Sequence, residues 1–191
     1  MRAIAGTVVS AAALWAGAAQ AEVTAKSDDG FAIALAVDTA AEKDQAWREL
    51  LTPSHWWSPL HTWSGDAANL YIDGQATGCF CEKLPRPKDA PEGQRMGSVE
   101  HLHVVYADPQ AGLLRMTGGL GPLQAEPVRG ILTVTLKPGA GGTRIELTYR
   151  VAGFVTMKGT DMAPLVDKVL SEQLTRLADR LNTAPEPAPA P

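Results

Sequence analysis

The chain has 191 residues with 17 basic and 21 acidic side chains, a formal net charge of −4, and two cysteines, Cys79 and Cys81. That balance offers no basic stripe to a nucleic acid and no polybasic segment to an anionic lipid surface, so neither is expected as a partner. The length fits one domain with a sizeable hydrophobic core.

Residues 1–21, MRAIAGTVVSAAALWAGAAQA, place Arg2 ahead of an apolar run and end in Ala19-Gln20-Ala21. This is the pattern of a secretory signal peptide cleaved after Ala21, and its run is too short and too rich in alanine for a good membrane span. The expected product is a periplasmic or secreted chain starting at Glu22, with no integral membrane insertion.

GFAIALAVD (30–38) alternates as a strand, with Phe31, Ile33, Leu35 and Val37 on one side. TAAE (39–42) has the spacing of a capping box, so a helix is expected from Thr39 through Trp47, Leu50 and Leu51, stopping near Pro53. A second short helix is expected from Ser54 through HWW. From Asn69 the period becomes two, and strands are expected near 69–74, 77–84, 97–107, 112–118, 126–137 and 142–153. In the last of these, Ile145, Leu147, Tyr149 and Val151 face opposite to Arg144, Glu146, Thr148 and Arg150. The Gly-rich GGLGPLQ (118–124) lacks the lysine and the strand–loop–helix setting of a phosphate loop, and is read as a turn.

A long helix closes the fold. Thr160 or Asp161 can cap it, Pro164 sits in its first turn, and Leu165, Val166, Val169, Leu170, Leu174, Leu177 and Leu181 form one apolar stripe. Residues 184–191, APEPAPAP, cannot form a helix or pair as a strand, and are read as a disordered tail. The domain is therefore 22–183.

This α+β order resembles the helix-grip fold of the START/Bet v 1-like superfamily (SRPBCC). The resemblance rests on HWWSPLHTWSGDAANL (55–70), GCFCE (78–82), VEHLHVVYADP (99–109), GGLGPLQ and VDKVLSEQLTRL (166–177). It looks closest to the polyketide cyclase/dehydrase-like and activator-of-Hsp90-ATPase-like branch. It implies a curved seven-stranded antiparallel sheet wrapped around the long C-terminal helix, with two short helices after the first strand. It also implies a cavity between sheet and helix that holds a small apolar or aromatic molecule, with no cofactor. Trp56, Trp57, His61 and Trp63 are candidates to line it, since tryptophan combines a large apolar area with one N–H donor.

Cys79, Cys81, Glu82, His101 and His103 complete the candidate set. If strands 77–84 and 97–107 pair with Phe80 opposite Leu102, then Cys81 faces His101, Cys79 faces His103, and Glu82 lies opposite Glu100. Two thiolates and two imidazoles on one face suit zinc or copper, although C-x-C with H-x-H is not a common zinc spacing. A disulfide suits an oxidising compartment, but residues two apart in a strand lie roughly 6.6 Å apart, the upper edge of disulfide geometry unless the strand bulges. Two free buried cysteines packed beside the cavity are the expectation. The chain shows no Ser/His/Asp elbow, HExxH or G-x-S-x-G, so cyclase-, dehydratase- or hydrolase-type catalysis and metal binding stand behind ligand binding as alternatives.

Overall fold

The computed structural model describes residues 20–183. The expected signal peptide, apart from the backbone of Gln20 and Ala21, and the Pro-rich tail lie outside the described residues. Eight strands form one antiparallel sheet: β1 (Gln20–Ser27), β2 (Gly30–Thr39), β3 (Leu70–Ile72), β4 (Cys79–Leu84), β5 (Gly97–Asp108), β6 (Leu113–Thr117), β7 (Val128–Gly139) and β8 (Gly142–Gly153). Their order is β1-β2-β8-β7-β6-β5-β4-β3. Helix α1 (Lys43–Leu50) follows β2, and helix α2 (Gly159–Thr183) ends the domain. This is the helix-grip arrangement.

One strand more than the expected seven is present. β1 pairs with β2 from Gln20↔Ala36 to Ser27↔Gly30 across a tight turn. Of residues 22–27 only Val23 is even half-buried, so this edge strand is held by its backbone ladder and shows no apolar face to read. Helix α1 also starts later than the capping-box spacing predicts, with Glu42 at its N-cap. Thr39 instead finishes β2, and its Oγ1 donates to Asn182 Oδ1 (3.0 Å) near the end of α2 while receiving the Ala41 amide. The short helix expected at Ser54 is a single 3-10 turn, Pro53–His55, followed by another at Pro59–His61.

The alternating residues of β2 and β8 deliver the core. Phe31, Ile33, Leu35 and Val37 meet Ile145, Leu147, Tyr149 and Val151 across the ladder, all buried. Against this surface α2 lays Leu170, Leu174, Leu177 and Leu181, also buried. Its start is pinned by close approach. The Gly159 amide donates to Asp28 O, and a Cβ there would lie 2.5 Å from Ser27 O and 2.7 Å from Gly30 O, so no larger residue fits. Because the helix begins at Gly159, Pro164 falls in its second turn rather than its first. No helix among the described residues is long and apolar enough to cross a membrane.

The loop after α1 is fastened to α2 by three polar contacts. Gln173 Oε1 receives the Ser58 amide (2.7 Å), Arg176 Nε donates to Trp56 O (2.7 Å), and His61 Nε2 lies 3.2 Å from Glu172 Oε2. Trp56 is buried beneath this loop, its Nε1 donating to Glu49 O. The middle of the sheet–helix interface is consequently closed: a void of about 30 Å³ remains among Leu50, Trp56, Phe80, Leu102 and Leu174. That is room for little more than one water; apart from Gln173, whose Nε2 has no partner among the described residues, apolar side chains line it.

Candidate functional site

Space opens at one end of the interface instead. A cavity of about 420 Å³ lies between the 57–63 loop, the 120–123 turn and the N-terminal half of α2. Trp57, His61, Thr62 and Trp63 form one wall, Leu120, Pro122 and Leu123 a second, and Met162, Leu165, Val166, Val169 and Leu170 a third; His101 also lines it. The volume falls within the 300–1,000 Å³ usual for small-molecule pockets. The mouth is apolar and exposed: Trp63 is 58% accessible, Leu165 56% and Met157 47%.

The 120–123 wall is set by Tyr149. Its hydroxyl donates to Gly118 O (3.0 Å) and receives the Leu120 amide (3.1 Å), which bends the chain between β6 and β7 inward. Burial pushes the Tyr149 hydroxyl pKa up to about 12, with the Leu120 amide opposing.

Beside the cavity sits a buried polar pair. Glu82 on β4 has no accessible surface, and His101 on β5 has 6%. Glu82 Oε2 lies 3.0 Å from His101 Nε2 and accepts the Trp63 amide at 3.0 Å; Oε1 accepts the Ser64 amide. Burial by itself would raise the Glu82 pKa, but hydrogen bonding from Ser64, the Trp63 amide and His101 outweighs it and holds the carboxyl below its ordinary value. Burial lowers the His101 pKa, opposed by Glu82. At neutral pH the pair is a carboxylate receiving Nε2–H from a neutral imidazole. The ring also packs on Phe80 (4.9 Å between centroids), which in turn meets Trp57 edge-on.

A break in strand pairing creates this pair. Phe80↔Leu102 and Cys79↔His103 pair as the alternation predicts, but the register then slips to Cys81↔Glu100 and Glu82↔Val99, leaving His101 as the extra residue of a bulge. The predicted pairings of Cys81 with His101 and of Glu82 with Glu100 are thereby corrected. A bulge re-aims a side chain, and here it turns His101 inward to Glu82, away from the cysteine face. A partner for Glu82 was inferable, since its spacing from Phe80 buries a carboxylate that needs donors. The bulge itself has no signature in the sequence.

The cysteine expectation is also overturned. Cys79 and Cys81 are bonded to each other with Cα atoms 5.4 Å apart, closer than ideal strand spacing allows, and no described cysteine is free. Their sulfurs are unavailable as thiolates, His101 is turned to Glu82, and exposed His103 pairs through Nδ1 with Glu100 (3.2 Å). The four-ligand zinc or copper set does not assemble, and no cluster of three potential ligands occurs among the described residues. Of the sequence candidates, Trp57, His61, Trp63 and His101 line the cavity, Glu82 backs it, and Trp56 borders the small inner void. Cys79, Cys81 and His103 belong to neither lining. Nothing in the spacing of Leu120, Pro122, Leu123, Met157 and Met162 distinguishes a cavity wall from a core.

No family model matches the chain. Among solved structures it is similar to protein MLL2253 from Mesorhizobium loti, with a TM-score of 0.55 and 14% identity over 81% of this chain and 99% of that one. It is also similar to CalU16 from Micromonospora echinospora, with a TM-score of 0.52 and 14% identity over 90% and 88%. A Rhodobacter sphaeroides protein gives a TM-score of 0.50 and 17% identity over 85% and 97%. The likeness is one of fold. Over 84 residues the chain is 38% identical to mycothiol acetyltransferase from Cellulomonas flavigena, which is 43% of this chain and 24% of that protein. The match thus spans about a quarter of that relative's length.

Proposed function

We propose that the protein is an exported binding protein that holds one small apolar or aromatic molecule in the end cavity. The observation that carries this reading is a pocket of about 420 Å³ walled mostly by Trp, Leu, Val, Met and Pro side chains. Apolar ligands gain affinity by leaving water for such walls. The lining contains no lysine, arginine, aspartate or glutamate, which gives an anion no countercharge. The mostly apolar lining favours binding over cyclase-, dehydratase- or hydrolase-type turnover.

The export half of the proposal rests on residues 1–21; cleavage after Ala21 would remove the first two residues of β1 and leave Glu22–Ser27 of that strand. The branch assignment, polyketide cyclase/dehydrase-like or activator-of-Hsp90-ATPase-like, rests on the five sequence stretches quoted above.

Titration with an anilinonaphthalene dye tests the binding reading, because Trp57 and Trp63 line the pocket. Dye emission should rise and tryptophan emission fall with saturation at one site per folded chain. Replacing Val166 by Trp should narrow the pocket and weaken dye binding. Dye binding that persists unchanged in Val166→Trp, or that appears only under denaturing conditions, would sink the proposal.

A further inference from the structure

We propose that the Glu82–His101 pair makes the cavity selective for apolar molecules that carry a hydrogen-bond donor, such as a phenol or an alcohol, by presenting His101 Nδ1 as an acceptor at its wall. This inference rests on the binding reading above and adds to it the chemistry of the ligand.

The geometry assigns the proton. A carboxylate can only accept, so the 3.0 Å contact between Glu82 Oε2 and His101 Nε2 requires the hydrogen on Nε2. Nδ1 then carries a lone pair, and among the described residues it has no hydrogen-bond partner. It belongs to the only buried polar side chain in the cavity lining. The atom keeps some accessible surface and His101 lines the cavity, so this acceptor is open to a ligand that supplies a donor.

Three other polar side chains nearby have already used a hydrogen-bonding group, and the exposed Trp63 indole, which has no described partner, can only donate. Trp57 Nε1 donates to His61 O (2.9 Å), Thr62 Oγ1 donates to Pro59 O (2.8 Å), and His61 Nε2 pairs with Glu172 Oε2 (3.2 Å). Ligand carboxylates are disfavoured, because no Lys or Arg lines the pocket and the Glu82 charge lies directly behind the imidazole.

Glu82 is the positioning residue. It is held by the Trp63 and Ser64 amides, so its carboxylate fixes both the tautomer of His101 and the loop that forms one cavity wall. This explains why a fully buried carboxylate stands on the inner face of β4, where an apolar residue would otherwise pack.

A matched probe pair tests the inference: 2-naphthol, which donates through its hydroxyl, and its methyl ether, which cannot. Hydrophobic burial alone favours the ether, since it carries one more carbon. The expected result is the reverse, with 2-naphthol binding about tenfold tighter in competition against the dye. His101→Phe should lose that tenfold for 2-naphthol and leave the ether within about threefold, and His101→Met, which also removes the nitrogen acceptor, offers a second variant if Phe does not fold. In the unmodified protein, nitrogen NMR of His101 should show Nε2 protonated and Nδ1 bare, with Nδ1 shifting when 2-naphthol binds and not when the ether does. Equal or tighter ether binding would overturn the selectivity and leave the binding reading intact. A naphthol preference that survives in His101→Phe would also overturn it, by placing the acceptor elsewhere. Failure of both probes and the dye to bind would instead remove the binding reading, and this inference with it.

Discussion

Replacing Glu82 by glutamine tests the centre of the site with one atom. Both carboxylate oxygens are engaged: Oε2 by His101 Nε2 and the Trp63 amide, Oε1 by the Ser64 amide. A glutamine can keep its oxygen toward His101 and Trp63, but its NH₂ then faces the Ser64 N–H, donor against donor. One charge-assisted hydrogen bond is lost, worth about 1.5–3 kcal/mol, and the two that remain become neutral and weaker. Relief from burying a charge offsets part of this, leaving an expected cost of about 2 kcal/mol. For a domain of this size that lowers the melting midpoint by roughly 4–8 °C. Urea unfolding at neutral pH should show a lower midpoint with an unchanged slope.

The pH dependence supplies an independent check. The folded-state pKa of Glu82 lies below its unfolded value, so its contribution is present above about pH 4.5 and fades as pH falls through the folded value. His101 is also depressed, so stability is lost as pH falls below about 6.5, where the unfolded chain takes up the proton more readily. The gap between wild type and Glu82→Gln should therefore narrow under acid, because protonated Glu82 resembles glutamine. An unchanged midpoint at neutral pH, together with a gap that does not vary with pH, would refute the placement of this carboxylate.

Leu174→Ala should cost roughly 2–5 kcal/mol in urea unfolding, since Leu174 is 2% exposed between α2 and the sheet. An unreduced sample should show no reactive thiol even when denatured, and two after reductant, because Cys79 and Cys81 are bonded; two thiols on denaturation alone would contradict the structure. Tyr149, with its hydroxyl pKa at about 12, should resist ionisation in the folded protein and add stability that fades as pH rises from about 10 through 12, readable as a late step in ultraviolet absorbance. Tyr149→Phe should cost about 1–3 kcal/mol by leaving Gly118 O and the Leu120 amide without their partner, and should weaken dye binding through the 120–123 wall.

The parts of the fold legible in the sequence are those where burial writes a period. β8 alternates because one face meets α2 and the core while the other meets solvent, and the stripe on α2 is the complementary reading. β1 lacks such a face and went unread. Leu165 shows the limit of a stripe: five and nine residues before Leu170 and Leu174, it lies well round the helix from them and stands 56% exposed at the cavity mouth. Periodicity tells which residues are apolar on one side, and not whether anything packs there.

The site was legible in its residues and not in its pairing. Trp57, His61, Trp63 and His101 come together as candidates because aromatic and titratable side chains are scarce enough to stand out. What joined the wrong partners was the assumption of unbroken alternation, which put His101 with the cysteines. A single slip between Phe80 and Cys81 reverses that choice, since side chains in a strand change face with every residue. The slip is stabilised by what it allows: Glu82, already fixed on the inner face with Phe80, gains His101 as a third donor beside the Trp63 and Ser64 amides. Without the bulge the carboxylate would keep two donors and His101 would face outward with Cys79 and His103. The bulge thus exchanges a regular ladder for a satisfied buried charge, and the same exchange leaves an imidazole beside the cavity with one nitrogen uncommitted.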